Sequence, residues 1–213
     1  MPDYRIKSVH AVQVQSRRHN MAVSARVETM DGAVGKALCY AGVSVGTHEV
    51  HFQYDGGNRW GGLGCMSAVR NVNTIIADTI LGMDVRNQFE IDQAMLSIQG
   101  NGSASVGGNA IAAVSAAVLK AGAAATQMPL YRYIGGENAC MLPVPGAPAF
   151  SGGERWGGAV HTHGNKPTGA FQCFGYDSFS EASSAAWDMY HLFAKELEKR
   201  GVTEGDWFFY RIP

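Results

Sequence analysis

Three stretches of the sequence carry side chains able to do chemistry. In Ala41-Gly42-Val43-Ser44-Val45-Gly46 a serine hydroxyl sits between two glycines, and His48-Glu49 and His51 follow. Gly42 and Gly46 are the kind of hinge that a closing loop uses. In Ser151-Gly152-Gly153-Glu154-Arg155-Trp156, Arg155 offers a planar guanidinium that can pair with a phosphate or a carboxylate, or serve as a solvated surface charge. His161-Thr162-His163 places two imidazoles on one face of an extended segment, but no third metal ligand accompanies them, so a histidine-bearing surface loop is the preferred account. His48-Glu49 and His51 lack the HExxH spacing of a zinc helix. Gly107-Gly108-Asn109 precedes a helical pattern and could cradle a phosphate there. No GxGxxG or P-loop accompanies it, and an N-terminal cap supplied by Asn109 is the better expectation.

The elements that must position these groups follow from periodicity. Residues 4–15 alternate, with Ile6, Val9 or Val12, and Val14 on one face; Val23, Ala25, Val27 and Thr29 alternate with Ser24, Arg26 and Glu28. Met30-Asp31-Gly32 supplies a turn into a third short strand from Gly35 to Cys39, which makes a three-strand antiparallel meander. The stretch Gly42–Gly64 is glycine-rich and reads as long irregular loops, which in a compact domain are commonly functional. Helical spacing then runs from Met66 to near Gly82, from Phe89 to Ile98, from Asn109 to Ala125 in small residues, and through Leu130–Ile134, whose tyrosines 131 and 133 are expected in the core. Beyond a boundary near Glu137–Cys140 come Met141-Leu142-Pro143-Val144-Pro145, a strand over Ala170–Tyr176 and an amphipathic helix to Arg200. Ser178 with Glu181 gives that last helix a capping box.

Bulk composition narrows the function classes. The 213 residues carry a net charge of −1, 16% charged side chains and 27 glycines, so there is no basic footprint for nucleic acid or an anionic membrane. The first residues hold charges throughout and form no signal peptide, and the alanine-rich run 110–125 is too short and weak to span a bilayer. Four cysteines without a short pair are expected to be reduced thiols in a cytoplasmic setting.

Read in order, the segments resemble the enolase family. Ser16-Arg17, Asn20 and Asp31-Gly32 are similar to its opening strands, and Gly42, Ser44, Gly46, His48 and Glu49 to its mobile active-site loop. Asn71-Val72-Asn73, Gln88, Ile91-Asp92, and above all Gly107, Asn109-Ala110-Ile111, Val114-Ser115 and Ala117 are similar to its helices. Leu142-Pro143-Val144-Pro145, Glu181-Ala182, His191 and Gly205-Asp206 extend the resemblance nearly to the end. It implies an α+β fold: residues 1–138 as the amino-terminal capping domain and residues 139–213 as an incomplete segment of the α/β barrel. A whole barrel takes about 250 residues.

The resemblance also implies a chemistry, the glycolytic dehydration of 2-phosphoglycerate to phosphoenolpyruvate, in which a lysine base and Mg2+ act on a weak carbon acid. The family's lid is similar to Ser-Gly-Ala-Ser-Thr-Gly, and here Ala41 stands at its metal-facing first serine while Ser44 matches the later one. Arg155 stands where a substrate-contacting histidine belongs, the next carboxylate falls on Gly164 or Thr168, and Trp207 replaces a glutamate. No metal ligand is assigned to this chain, so Mg2+ is implied by resemblance alone. The expectation is an impaired or inactive homologue, a truncated pseudoenzyme. Two alternatives stay open. One is a diverged enzyme for another phosphorylated or phosphonate acid, with Ser44 and Arg155 as catalytic groups and Gly42, Gly46 and Arg155 holding substrate. The other is a non-catalytic subunit that associates as a homodimer or with a full enolase. Activity, if present, would be that of a magnesium-dependent carbon–oxygen lyase of the phosphopyruvate hydratase type.

Overall fold

A computed structural model describes residues 2–16, 20–40, 48, 50–100, 105–151 and 168–200. The chain divides into two compact units, residues 1–139 and 140–213. In the first, β1 (Ile6–Gln15), β2 (Met21–Thr29) and β3 (Val34–Tyr40) form an antiparallel meander in the order β1-β2-β3. β2 obeys the alternation of its sequence: Val23, Ala25, Val27 and Thr29 are buried and the intervening side chains are half-exposed. β1 does not keep a strict alternation, because a bulge shifts its register between Ile6 and Ser8. The extra residue turns Val9 and Ala11, with Ile6, toward the core and leaves Val12 outside.

Helices cover the inner face of the sheet. α1 (Met66–Asn71), a wider π turn (Val72–Ile76) and α2 (Ala77–Ile80) run on as one helix, followed by α3 (Gln88–Ser97), α4 (Gly108–Ala125) and α5 (Leu130–Gly135). α4 is the centre of this unit. Its apolar length would satisfy a membrane span, yet Ala110, Ala113, Val114, Ala117, Val118 and Ala121 are all buried in the same cluster as the sheet's inner face. Small residues let backbones meet. A Cβ added at Gly35 of β3 would fall inside the contact distance of the Ala117 carbonyl oxygen and the Ala121 amide. On the outer edge of β1, Asn73 accepts a hydrogen bond from the Ala11 N–H (2.6 Å) and donates one to the Ala11 carbonyl (3.0 Å).

α5 departs from expectation. None of its residues is buried, and Tyr131 is exposed rather than in the core, because a helix this short presents only Tyr133 to its neighbour, with the phenol against Gly122.

The second unit pairs β4 (Gly146–Ser151) with β5 (Thr168–Gln172), antiparallel, and continues into α6 (Phe179–Lys199). β5 ends at Gln172, short of the expected Tyr176. α6 starts at the Ser178–Glu181 capping box read from the sequence: the Ser178 hydroxyl accepts the Glu181 N–H at 3.2 Å, and the Glu181 carboxylate accepts the Ser178 N–H at 3.2 Å.

Candidate functional site

The glycine-rich loop that carries Ser44 leaves the sheet at Tyr40, and the structure describes its return from Val50 onward. Gly42, Ser44, Gly46, Arg155, the His161–His163 pair, Gly164 and Trp207 lie outside the described residues, and Thr168 opens β5. The structure therefore neither unites nor separates those groups. What it does describe is how the loop is held.

The return segment lies on the amino-terminal end of α4. Asn109, 1% exposed, accepts the Gln53 N–H at 3.0 Å and donates to the Gln53 carbonyl at 3.1 Å. The Gly108 N–H donates to the His51 carbonyl at 2.9 Å. Three bonds thus fix residues 51–53 to the helix end, and the two glycines make room for them. Gly107 holds φ +102°, and a Cβ there would sit 2.6 Å from the Gln53 Cβ; at Gly108 a Cβ would meet the Val50 side chain at 2.9 Å. This corrects the expectation for Gly107-Gly108-Asn109. Gly107, not Asn109, occupies the cap position, and no side chain caps the helix. The amides that might have held a phosphate are spent, Gly108 on His51 and Gly107 on the Ser105 hydroxyl at 3.2 Å.

A second anchor follows. The Asp55 carboxylate accepts the Met66 N–H (2.9 Å) and the Ser67 N–H (2.7 Å), capping α1 from eleven and twelve residues upstream. Burial pushes this carboxyl up, but the two N–H bonds outweigh it and hold its pKa below the ordinary value. The Cys65 N–H donates to the Gln13 side-chain oxygen at 2.6 Å, while its Sγ receives the Asn109 amide at 3.8 Å. Burial, with Asp55 nearby, pushes the Cys65 thiol up to about 11, so it stays protonated and is no nucleophile at neutral pH. The cysteines are free thiols, Cys140 exposed and Cys65 buried.

Among the described residues no three His, Cys, Asp or Glu side chains gather closely enough to hold a metal ion. The described donor set around the loop gathers no such cluster. Its polar groups instead lock backbone to backbone. Asp55 and Gln13 carry no local signal as anchors, and Asn109 reads locally as a cap, because their partners lie 11, 52 and 56 positions away. The run Gly-Gly-Asn ahead of a helix was the one visible signal.

The stretch that contains the meander, both anchors and all of α4, residues 6–134, matches the family described as "Enolase, N-terminal domain". The chain belongs to the enolase family. It is 40% identical over 199 residues to the enolase of Campylobacter jejuni subsp. jejuni serotype O:23/36 (strain 81-176), covering 92% of this chain and 47% of that protein. It is 40% identical over 202 residues to the enolase of Methanosarcina acetivorans, covering 93% and 46%, and 41% identical over 198 residues to that of Methanopyrus kandleri, covering 92% and 45%. The chain spans about half the length of the curated enolases it matches. Within the enolase fold, then, the described site is the root of the glycine-rich loop.

Proposed function

We propose that residues 1–138 serve as an enolase-type capping domain presenting the Gly42–Gly46 lid, that residues 139–213 supply the beginning of the barrel, and that dehydration of 2-phosphoglycerate to phosphoenolpyruvate is impaired or absent in this chain alone. One contrast carries this reading. The anchor that seats the lid is complete, with Asn109 holding both backbone groups of Gln53, whereas the sequence puts Ala41, Arg155 and Trp207 at the positions where the family keeps reacting groups. Neither a methyl nor an indole can coordinate a metal or move a proton, and the enolase pattern of proton abstraction beside a carboxylate uses both a base and a metal. A seated lid without reacting groups is a scaffold.

Magnesium, a cytoplasmic setting and association, as a homodimer or with a full enolase chain, belong to the same proposal. The test is to mix purified chain with 2-phosphoglycerate and Mg2+ and to follow absorbance of the enol product. No rate above the protein-free control is expected, and a sustained, protein-dependent rate would overturn the reading. A second reading, a diverged enzyme for another phosphorylated or phosphonate acid, draws on the guanidinium of Arg155. It requires such an acid to raise the melting temperature of the wild type but not of Arg155→Ala.

A further inference from the structure

Beside the loop anchor, the first unit contains a cavity of about 390 Å3 between α3, α4 and the return segment. Phe52, Leu96 and Ile111 give it apolar walls, and its polar groups are Asp92, Gln99 and Ser115. α3 buries Ile91 and Met95 yet leaves Phe89 and Leu96 exposed, so it carries apolar surface that this unit's own core does not use. An apolar cleft with a few convergent polar groups is the form of a small-molecule site.

Those polar groups are biased toward acceptors. Among the described residues the Asp92 carboxylate accepts the Gln88 amide, at 3.0 and 3.1 Å, and the same amide reaches the Ser115 hydroxyl at 3.1 Å and its carbonyl at 3.2 Å. The Gln99 side-chain oxygen is buried and has no hydrogen-bond partner among the described residues. Among the described residues no lysine, arginine or histidine lines the cavity and Asp92 has no ion-pair partner. The positive end of α4 borders the cavity at Gly108, about two turns from Ser115, and opposes a cation there. The charge complement is therefore at the Asp92 end, with the apolar body toward Gly108.

We propose that this cavity binds a small primary amine with an apolar body, the ammonium on Asp92 and the body against Phe52, Leu96 and Ile111. The proposal is independent of any enolase chemistry. It is tested by amide NMR titration with 2-phenylethylamine, beside 2-phenylethanol and 3-phenylpropionate as neutral and anionic controls. Saturable shifts at Leu96, Ile111 and Ser115 are expected, with the amine bound at least about five-fold more tightly than either control. Absence of shifts, or equal affinity for all three probes, overturns the proposal. Asp92→Asn keeps the side-chain shape and should weaken the amine by about five-fold while leaving the alcohol unchanged; an equal loss for both removes the carboxylate from the account. Ala112→Trp places an indole in the cavity and should abolish binding of all three probes without lowering the melting temperature. Amine binding that survives this variant locates the site elsewhere and overturns the proposal.

Discussion

The two units spend their apolar residues differently. In residues 1–139 the sheet face, α1 to α3 and α4 enclose a continuous core in which Ile6, Val23, Val27, Ile76, Ile80, Ile91, Met95 and Val114 have no exposed surface. Among the described residues of 140–213 only Ala182, Ala186 and Ala194 are buried, while Met141 is 91% exposed and Phe174, Trp187 and Leu192 are exposed as well. One unit closes its own core; the other presents a helix and flanking segments with several large apolar side chains in solvent. Patches of that kind mark surfaces meant for covering.

The largest effect should come from separating the units. Residues 1–139 expressed alone are expected to melt in one cooperative transition, and residues 140–213 alone to show none by circular dichroism. A cooperative melt of the second fragment would erase the contrast. Next in size is Gly35→Ala, which drives a methyl into the α4 backbone and should cost about 3 kcal/mol in urea unfolding. The matching change in the second unit, Gly146→Ala, meets nothing nearer than 3.8 Å and should stay within about 0.5 kcal/mol. Asn109→Ala leaves the Gln53 N–H and carbonyl without their partner and should cost about 2 kcal/mol. It should also raise the hydrogen-exchange rate at the amides of Gln53 and Gly108 above that of the α4 interior. Uniform loss of protection would mean that the clamp is only a part of the core.

The smallest effect concerns acid. The Asp55 pKa lies below its ordinary value in the folded chain, so its contribution is present above the ordinary carboxylate pKa and fades as pH falls through the folded one. The gap in urea midpoint between wild type and Asp55→Asn should therefore narrow as pH is lowered through the acid range. A gap that is constant with pH would assign the effect to shape rather than charge.

Local pattern made much of both units readable. Alternation in β2, small residues at helical spacing in α4 and the Ser178–Glu181 box each depend on neighbours a few positions apart, and each formed as its spacing dictates. The bulge in β1 was not visible, since one extra residue breaks the period that would reveal it. The loop anchors were not visible either, for a different reason. Asn109 and Asp55 act on backbone groups, which carry no residue-specific signature, and Asn109 reaches across 56 positions. A cap was the reasonable local expectation for Asn109, and the docking of a distant segment displaced it. The catalytic candidates Ser44 and Arg155 and the substrate-holding candidates Gly42 and Gly46 lie outside the described residues.

Asn73 has a further consequence, for solubility. β1 ends the sheet, and the outward N–H and carbonyl of Ala11 are the groups a strand from another molecule would seize. By occupying both, a single side chain acts as a terminator of strand addition. Asn73→Leu would leave that edge open, and growth of thioflavin-positive aggregates from otherwise folded protein would measure how much of this molecule's resistance to self-templating rests on one carboxamide.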